Sequence, residues 1–383
     1  MTDLTEDAEP DQTTAEPISA EPDDVEIQDV DPSLEVISTV YEINSYGVDY
    51  DVEGLVRRMG KGDIVVPSFD PAYAGSDEVG GFQRGFVWRQ SQMSRFVESL
   101  LLGLPVPGIF LVRDKENKLL VLDGQQRLRT LDAFYSGTLN DKVFRLLNVQ
   151  EPFLNKAYGD LQPEDRRRLD DSIIHATVLR QESPSGSQNA VYSIYERLNT
   201  GGSPLAPQEI RIALFAGAFL RGISELNQVD SWRELYGPPS PRFRDNELIL
   251  RVLALYEDQS VYARPLKGFL NDYLDSNRDR ELTVSSDLGG LFVQAVTLFE
   301  THLGKRAFRP ERAVNAAVVD SLIVGVMRRI ADREDPVDEA LFLTAYQNLL
   351  GDDTYRRVTY VDTSSEGAVN ARLNIATEIF ATV

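Results

Sequence analysis

From about Phe219 to the C-terminus no segment of this chain has the alternation or turn signals of a strand, whereas the preceding part has several. "NELILRVLALY", "PLKGFLNDYL", "LGGLFVQAVTLF" and "NAAVVDSLIVGVMRRI" all carry apolar residues at helical spacing. Upstream, "GIFLV" and "KLLVL" flank "RDKEN" as an antiparallel hairpin would, and "SIIHATVL" reads as a further strand over Ser172–Leu179. Helices are expected over Val52–Met59, from an N-cap at Ser91 to Leu101, over about Gln125 to Tyr135, over 188–198, and from Pro207. The fold class is therefore α+β, a mixed α/β domain over residues 37–218 followed by an all-helical domain over 219–383.

Residues 1–36 hold 13 of the 61 acidic residues and no Lys or Arg, which leaves 48 acids against 39 bases in the remainder. Such a leader has too little apolar surface to offset its chain entropy. It is expected to be disordered, and its deletion to leave melting unchanged. The mildly acidic body argues against broad salt-driven DNA binding but leaves room for a local basic groove. The chain has no cysteine, which excludes disulfides, thiolate metal sites and cysteine nucleophiles and makes the cytoplasm the default location. No apolar run reaches the ~20 residues of a membrane span.

Two histidines, His175 and His302, lie far apart in sequence, so HNH-type nuclease chemistry is not expected from this chain alone. His175, inside a predicted strand, reads as a structural residue. Neither a Walker A sequence nor a G-x-G-x-x-G after a strand is present.

The unusual stretch is "VLDGQQRLRTL", Val121 to Leu131. A strand runs into Gly124, and two amides and an arginine fill the first turn of the next helix. The N–H groups at a helix start form an anion site, and Arg127 adds a fork suited to phosphate. Gln125 and Gln126 add neutral donors and acceptors, and Asp123 is placed to meet a metal ion such as Mg²⁺ between phosphate oxygens. The competing structural reading makes Asp123 an N-cap with Gln126 completing a capping box, and Arg127 and Arg129 solvated helix residues. Two other segments join as candidates. "FQRGFVW" offers Gln83 and Arg84, and "NTGG" offers Asn199 at a helix end. Glu209 and Arg211 form either a local pair or a base and a clamp.

"FQRGFVW", "LLLGLPVPGIFLV", "VLDGQQRLRTL" and "LNTGGSPLAPQEIR" together resemble the N-terminal domain family of GmrSD-type restriction proteins, in the ParB/sulfiredoxin-like superfamily. The resemblance runs from about Tyr46 to Phe215, and the helical half resembles the region C-terminal to this domain in relatives lacking a nuclease. It implies a compact α/β domain that binds a nucleoside triphosphate and is linked to NTP hydrolysis and to control of DNA cleavage in phage defence. Carried over by motif, Asp123, Gly124, Gln125, Gln126 and Arg127 would line the phosphates, Gln83 and Arg84 would face them, and Asn199 would close the site. If turnover occurs, Asp123 or Glu209 would position water. DNA, or a separate nuclease or defence protein, is then an expected partner, and oligomers are compatible with the sequence. Here the link before "FQRGFVW" is lengthened by "SFDPAYAGSDEVGG", and the histidines of an HNH domain are missing. Two alternatives stay open: a DNA-binding or DNA-cleaving enzyme using the same pocket, and a noncatalytic scaffold in which the motif is a structural corner.

Overall fold

The structure is a computed structural model that describes residues 24–29, 42–67, 88–113, 117–139, 141–183, 189–198, 205–333 and 335–383. Its central sheet has five strands: β2 (Glu42–Asp51), β3 (Ile64–Val65), β4 (Ile109–Arg113), β5 (Leu119–Asp123) and β8 (Ile173–Ser183). They lie in the order β2-β8-β4-β5-β3. β2–β8 and β4–β5 are antiparallel, while β8–β4 and β5–β3 are parallel, so the sheet is mixed. Outside it, β6 (Thr138–Leu139) and β7 (Lys142–Val143) form a short hairpin, and β1 (Ile27–Gln28) pairs with β9 (Val314–Asn315).

The uninterrupted apolar runs of β4 and β5 reflect burial on both faces of the sheet. Ile109, Leu111, Leu119 and Val121 join Ile174 and Ala176 of β8 in a core with helices α1 (Val52–Gly60), α2 (Gln90–Leu101) and α3 (Gln125–Ser136). α4 (Pro163–Asp170) closes this layer through Leu169. The alternate residues Val112, Leu122 and Leu179 belong to the opposite core. There they meet α5 (Asn189–Leu198) and α6 (Pro207–Leu214).

That second core runs without a break into the helical half. It comprises α7 (Ala218–Leu226), α8 (Asp230–Tyr236), α9 (Arg244–Asp258), α10 (Leu266–Asn277), α11 (Asp287–Leu303), α12 (Ala316–Asp332), α13 (Glu339–Gly351), α14 (Asp353–Tyr360) and α15 (Glu366–Phe380). The expected division at 218 thus falls inside one hydrophobic core. Polar contacts cross the same line: buried Arg211 of α6 meets Glu247 of α9 at 3.0 Å and the Asn271 amide oxygen of α10 at 2.9 Å. Arg211 and Glu209 therefore do not pair with each other. A partnered arginine can sit at such a position because the carboxylate and amide offset its lost hydration.

Most predicted elements are present. α4, α8, α13, α14, α15 and the β6–β7 hairpin had no predicted counterpart, and the half expected to be all-helical contains the two-residue strand β9. Three further differences have a clear local cause. α2 begins at Gln90 rather than after an N-cap at Ser91, because the Gln92 side chain accepts the Arg89 N–H at 2.9 Å. β2, ten residues long, had no predicted counterpart. It is an edge strand whose described side chains are mostly exposed, so it lacks the apolar face that pattern reading requires. The third difference is in the acidic leader. Asp24–Asp29 docks on the helical half, with Ile27 opposite Val314 and Gln28 opposite Asn315, and Val25 and Ile27 packing on its core. The leader is therefore not uniformly without structure, and the rest of 1–36 lies outside the described residues.

Candidate functional site

The strand-to-helix corner is built around a glycine. Gly124 is the N-cap of α3 and has φ 97°, a left-handed conformation costly for any other residue. A Cβ there would collide with Ile109 Cγ2. Asp123 is accordingly the last residue of β5 and not the helix cap, and the capping-box reading of Asp123 with Gln126 does not hold. Gly124 has no side chain with which to cap, so the start of α3 receives no side-chain hydrogen bond from its N-cap.

Asp123 instead reaches one helical turn forward. Its Oδ2 accepts from Arg127 Nη2 at 2.8 Å, and the same nitrogen donates to the Gly108 carbonyl at 2.9 Å. Gly108 can present that carbonyl because it lies against β8, where an added Cβ would be 2.7 Å from the His175 oxygen. The Arg127 side chain is 14% exposed and that of Asp123 is 43% exposed. Arg127 Nε is buried without a hydrogen-bond partner. The pair is thus half-open, with one guanidinium nitrogen unused.

The amides point in different directions. Gln125 Nε2 donates to the Tyr195 hydroxyl of α5 at 2.5 Å, while Gln126 Oε1 accepts from the Trp88 N–H at 3.4 Å. Trp88, the last residue of "FQRGFVW", therefore abuts the first turn of α3. Gln83, Arg84 and Asn199 lie outside the described residues.

Tyr195 is the residue that sequence reading missed. Its spacing with Val191, Ile194 and Leu198 puts it on the inward face of α5, and it is fully buried. Burial drives its phenol well above the ordinary value. The Gln125 hydrogen bond lowers it, the charges of Asp123 and Glu209 raise it, and Arg129 lowers it. The hydroxyl therefore stays neutral, and Asp123, Arg129 and Glu209 are all near enough for their charges to be felt there. The only signal in the sequence was general: a buried tyrosine hydroxyl needs a partner.

Arg129 is not a solvated helix residue. Its Nη2 donates to the Pro67 carbonyl at 2.8 Å, tying α3 to the end of β3. Burial pulls its pKa below the usual value, against the opposing influence of Tyr195 and Asp132. Glu209 is also buried. Its Oε2 accepts the Ala206 N–H at 2.6 Å, which holds the start of α6, and lies 3.9 Å from Arg242 Nε. His175 is exposed on β8 and 2.8 Å from Asp49, whereas His302 packs on Phe342 of α13.

Among the described residues no group of three His, Cys, Asp or Glu side chains is placed to hold a metal ion. Asp123 could supply one ligand, so a divalent ion here would depend on phosphate oxygens and water for the remainder. No helix among the described residues is long and apolar enough to cross a membrane.

A mixed sheet with a glycine-opened helix start at the C-terminal end of β5, backed by helices on both faces, defines the class of domain. Residues 69–216 match the model of the family described as GmrSD restriction endonuclease, N-terminal domain. The match contains the whole corner from Trp88 to Glu209. A comparison with curated proteins gave no match.

Proposed function

We propose that the corner from Asp123 to Arg127 binds the phosphates of a nucleoside triphosphate, and that the chain is a nucleotide-responsive module of a DNA-directed restriction or defence system. The observation that carries this reading is the start of α3. A left-handed glycine leaves the helix end without a side-chain cap beside a guanidinium with an unused nitrogen, and dipole, N–H groups and charge all favour an anion there. The family match supports the restriction context. In this reading Gln83, Arg84 and Asn199 extend the phosphate site. Asp123 is the residue that would hold Mg²⁺, whose chemistry is to neutralise phosphate charge. As the acid that positions water in any hydrolysis, Asp123, at 43% exposure, is better suited than Glu209, which is buried and engaged at the start of α6.

A second reading is favoured by one specific observation. Each of the polar motif side chains already has a protein partner: Tyr195 for Gln125, Trp88 for Gln126, Asp123 and Gly108 for Arg127, and Pro67 for Arg129. On that view the motif is a structural corner of a scaffold. Calorimetric titration of wild type and Arg127→Ala with each NTP and Mg²⁺ separates the two. Loss of ~1.5–3 kcal/mol of binding, the range for a charge-assisted hydrogen bond, is expected. An Arg127→Ala protein that binds nucleotide as wild type does but melts far lower would sink the nucleotide reading. DNA binding with a steep salt slope and no effect of nucleotide would instead favour a DNA enzyme using the same pocket.

A further inference from the structure

The contact between the acidic leader and the helical half has the form of a peptide in a groove. Within Asp24–Asp29, Ile27–Gln28 pairs in parallel with β9, and the Val314 N–H donates to the Glu26 carbonyl at 2.9 Å. Carboxylates anchor both ends: Asp24 Oδ2 accepts from Ser240 Oγ at 3.0 Å, and Asp29 Oδ1 accepts from Arg251 Nη1 at 2.8 Å. Val25 and Ile27, between them, turn to the core.

The receiving surface is held by contacts that do not involve the leader. Arg251 Nε donates to Asp320 Oδ2 at 2.6 Å, and Arg372 grips both Asp320 oxygens at 2.8 Å. Asn315 caps α12 by accepting from the Ala317 and Val318 N–H groups, and it donates to the Thr359 carbonyl. Arg251, Arg372 and Asp320 are all buried, so two cations face one carboxylate until Asp29 arrives. Arg251 Nη2 is buried and has no hydrogen-bond partner, so the groove keeps a donor that its occupant does not use.

We propose that this surface is a β-addition site for an extended acidic peptide, and that Asp24–Asp29 of the same chain is its resident, displaceable occupant. Specificity comes from one carboxylate on Arg251, an apolar residue two positions before it, and backbone pairing with β9. A tethered occupant acts at high local concentration, so a free peptide binds well only once the resident is weakened. This site is separate from the corner at α3 and does not depend on nucleotide binding there.

The test uses the full-length protein and a fluorescein-labelled synthetic peptide spanning residues 22–31, followed by anisotropy. Full-length Asp29→Asn should bind the peptide at least ~10-fold more tightly than wild type, and a peptide carrying the same change should not bind. In wild type, the Val314 amide should exchange hydrogen much faster than the amides in the middle of α12, through local release of the leader. A folded Asp29→Asn protein that binds the peptide no better than wild type would overturn the proposal. So would a Val314 amide that exchanges only with global unfolding, a result readable even if the variant does not fold. Dimerisation of Asp29→Asn that added peptide reverses would put the occupant in a second copy and overturn residence in cis.

Discussion

Aspartate and arginine pair at several places in this molecule, and two of these sites have opposite surroundings. At the corner, Asp123 and Arg127 pair one turn apart on a half-open surface. In the helical half, Asp320 takes Arg251 and Arg372 at 0% exposure of its side chain, and Asp29 completes the charge balance. At the corner Asp123 is 43% exposed, so water can hydrate its carboxylate when another anion takes its place beside Arg127. Water cannot do so around Asp320. The contrast shows that burial, more than ion-pair distance, separates a carboxylate that can give way to another anion, Asp123, from one committed to the fold, Asp320.

The most direct attempt to break this comparison is the same substitution in both places. Asp320→Asn leaves two buried arginines short of a carboxylate and should cost ~3–5 kcal/mol, read as a lower denaturation midpoint. Gly124→Ala should follow, at about 1–3 kcal/mol from the left-handed backbone, with the contact on Ile109 adding to it. Nucleotide binding should be lost with it, since the helix start must move. Asp123→Asn should change unfolding free energy by at most ~1 kcal/mol, because exposure screens the pair. If Asp123→Asn proved as damaging as Asp320→Asn, the comparison would collapse.

The smallest effect lies in pH. Glu257 of α9 is partly buried, which alone would raise its pKa, but hydrogen bonds from Arg280 and Tyr273 reverse this and hold it below the ordinary 4.5. A carboxyl lowered on folding stabilises the fold above its unfolded pKa, and that contribution disappears as pH falls through the folded value. Glu257→Gln should therefore flatten the part of the acid limb below about pH 4.5 and leave the rest of the profile unchanged. An identical acid limb in the variant would show that Glu257 contributes nothing to acid stability.

The parts of the fold legible in sequence were those with a local cause. β4, β5 and α3 announced themselves through uninterrupted apolar runs, Gly124, and Gly137 at the helix C-cap. The corner was readable for the same reason, since Asp123 through Arg127 are contiguous. What stayed hidden depended on partners distant in the chain. Two-residue β1 pairs with β9 across most of the chain, and "DVEIQD" within an acidic leader gives no hint of Arg251. Tyr195 lies 70 residues from Gln125, and its position among apolar neighbours concealed the polar role of its hydroxyl. Arg129 failed differently: the Pro67 carbonyl that receives it cannot be inferred from helix geometry.

α5 touches both halves of the molecule. Near one end Tyr195 meets the corner and Glu196 holds Lys267. One turn back, the Tyr192 ring underlies Arg211, and at the start Asn189 bonds to Asn271 and Asp272 of α10. The helix thus works like an axle shared by two wheels. A gene cut at codon 218 would give two half-proteins, each with part of a torn core facing water. Neither half should be obtained in soluble form alone. Co-expression should restore both, because the surface each one lacks is the surface the other carries.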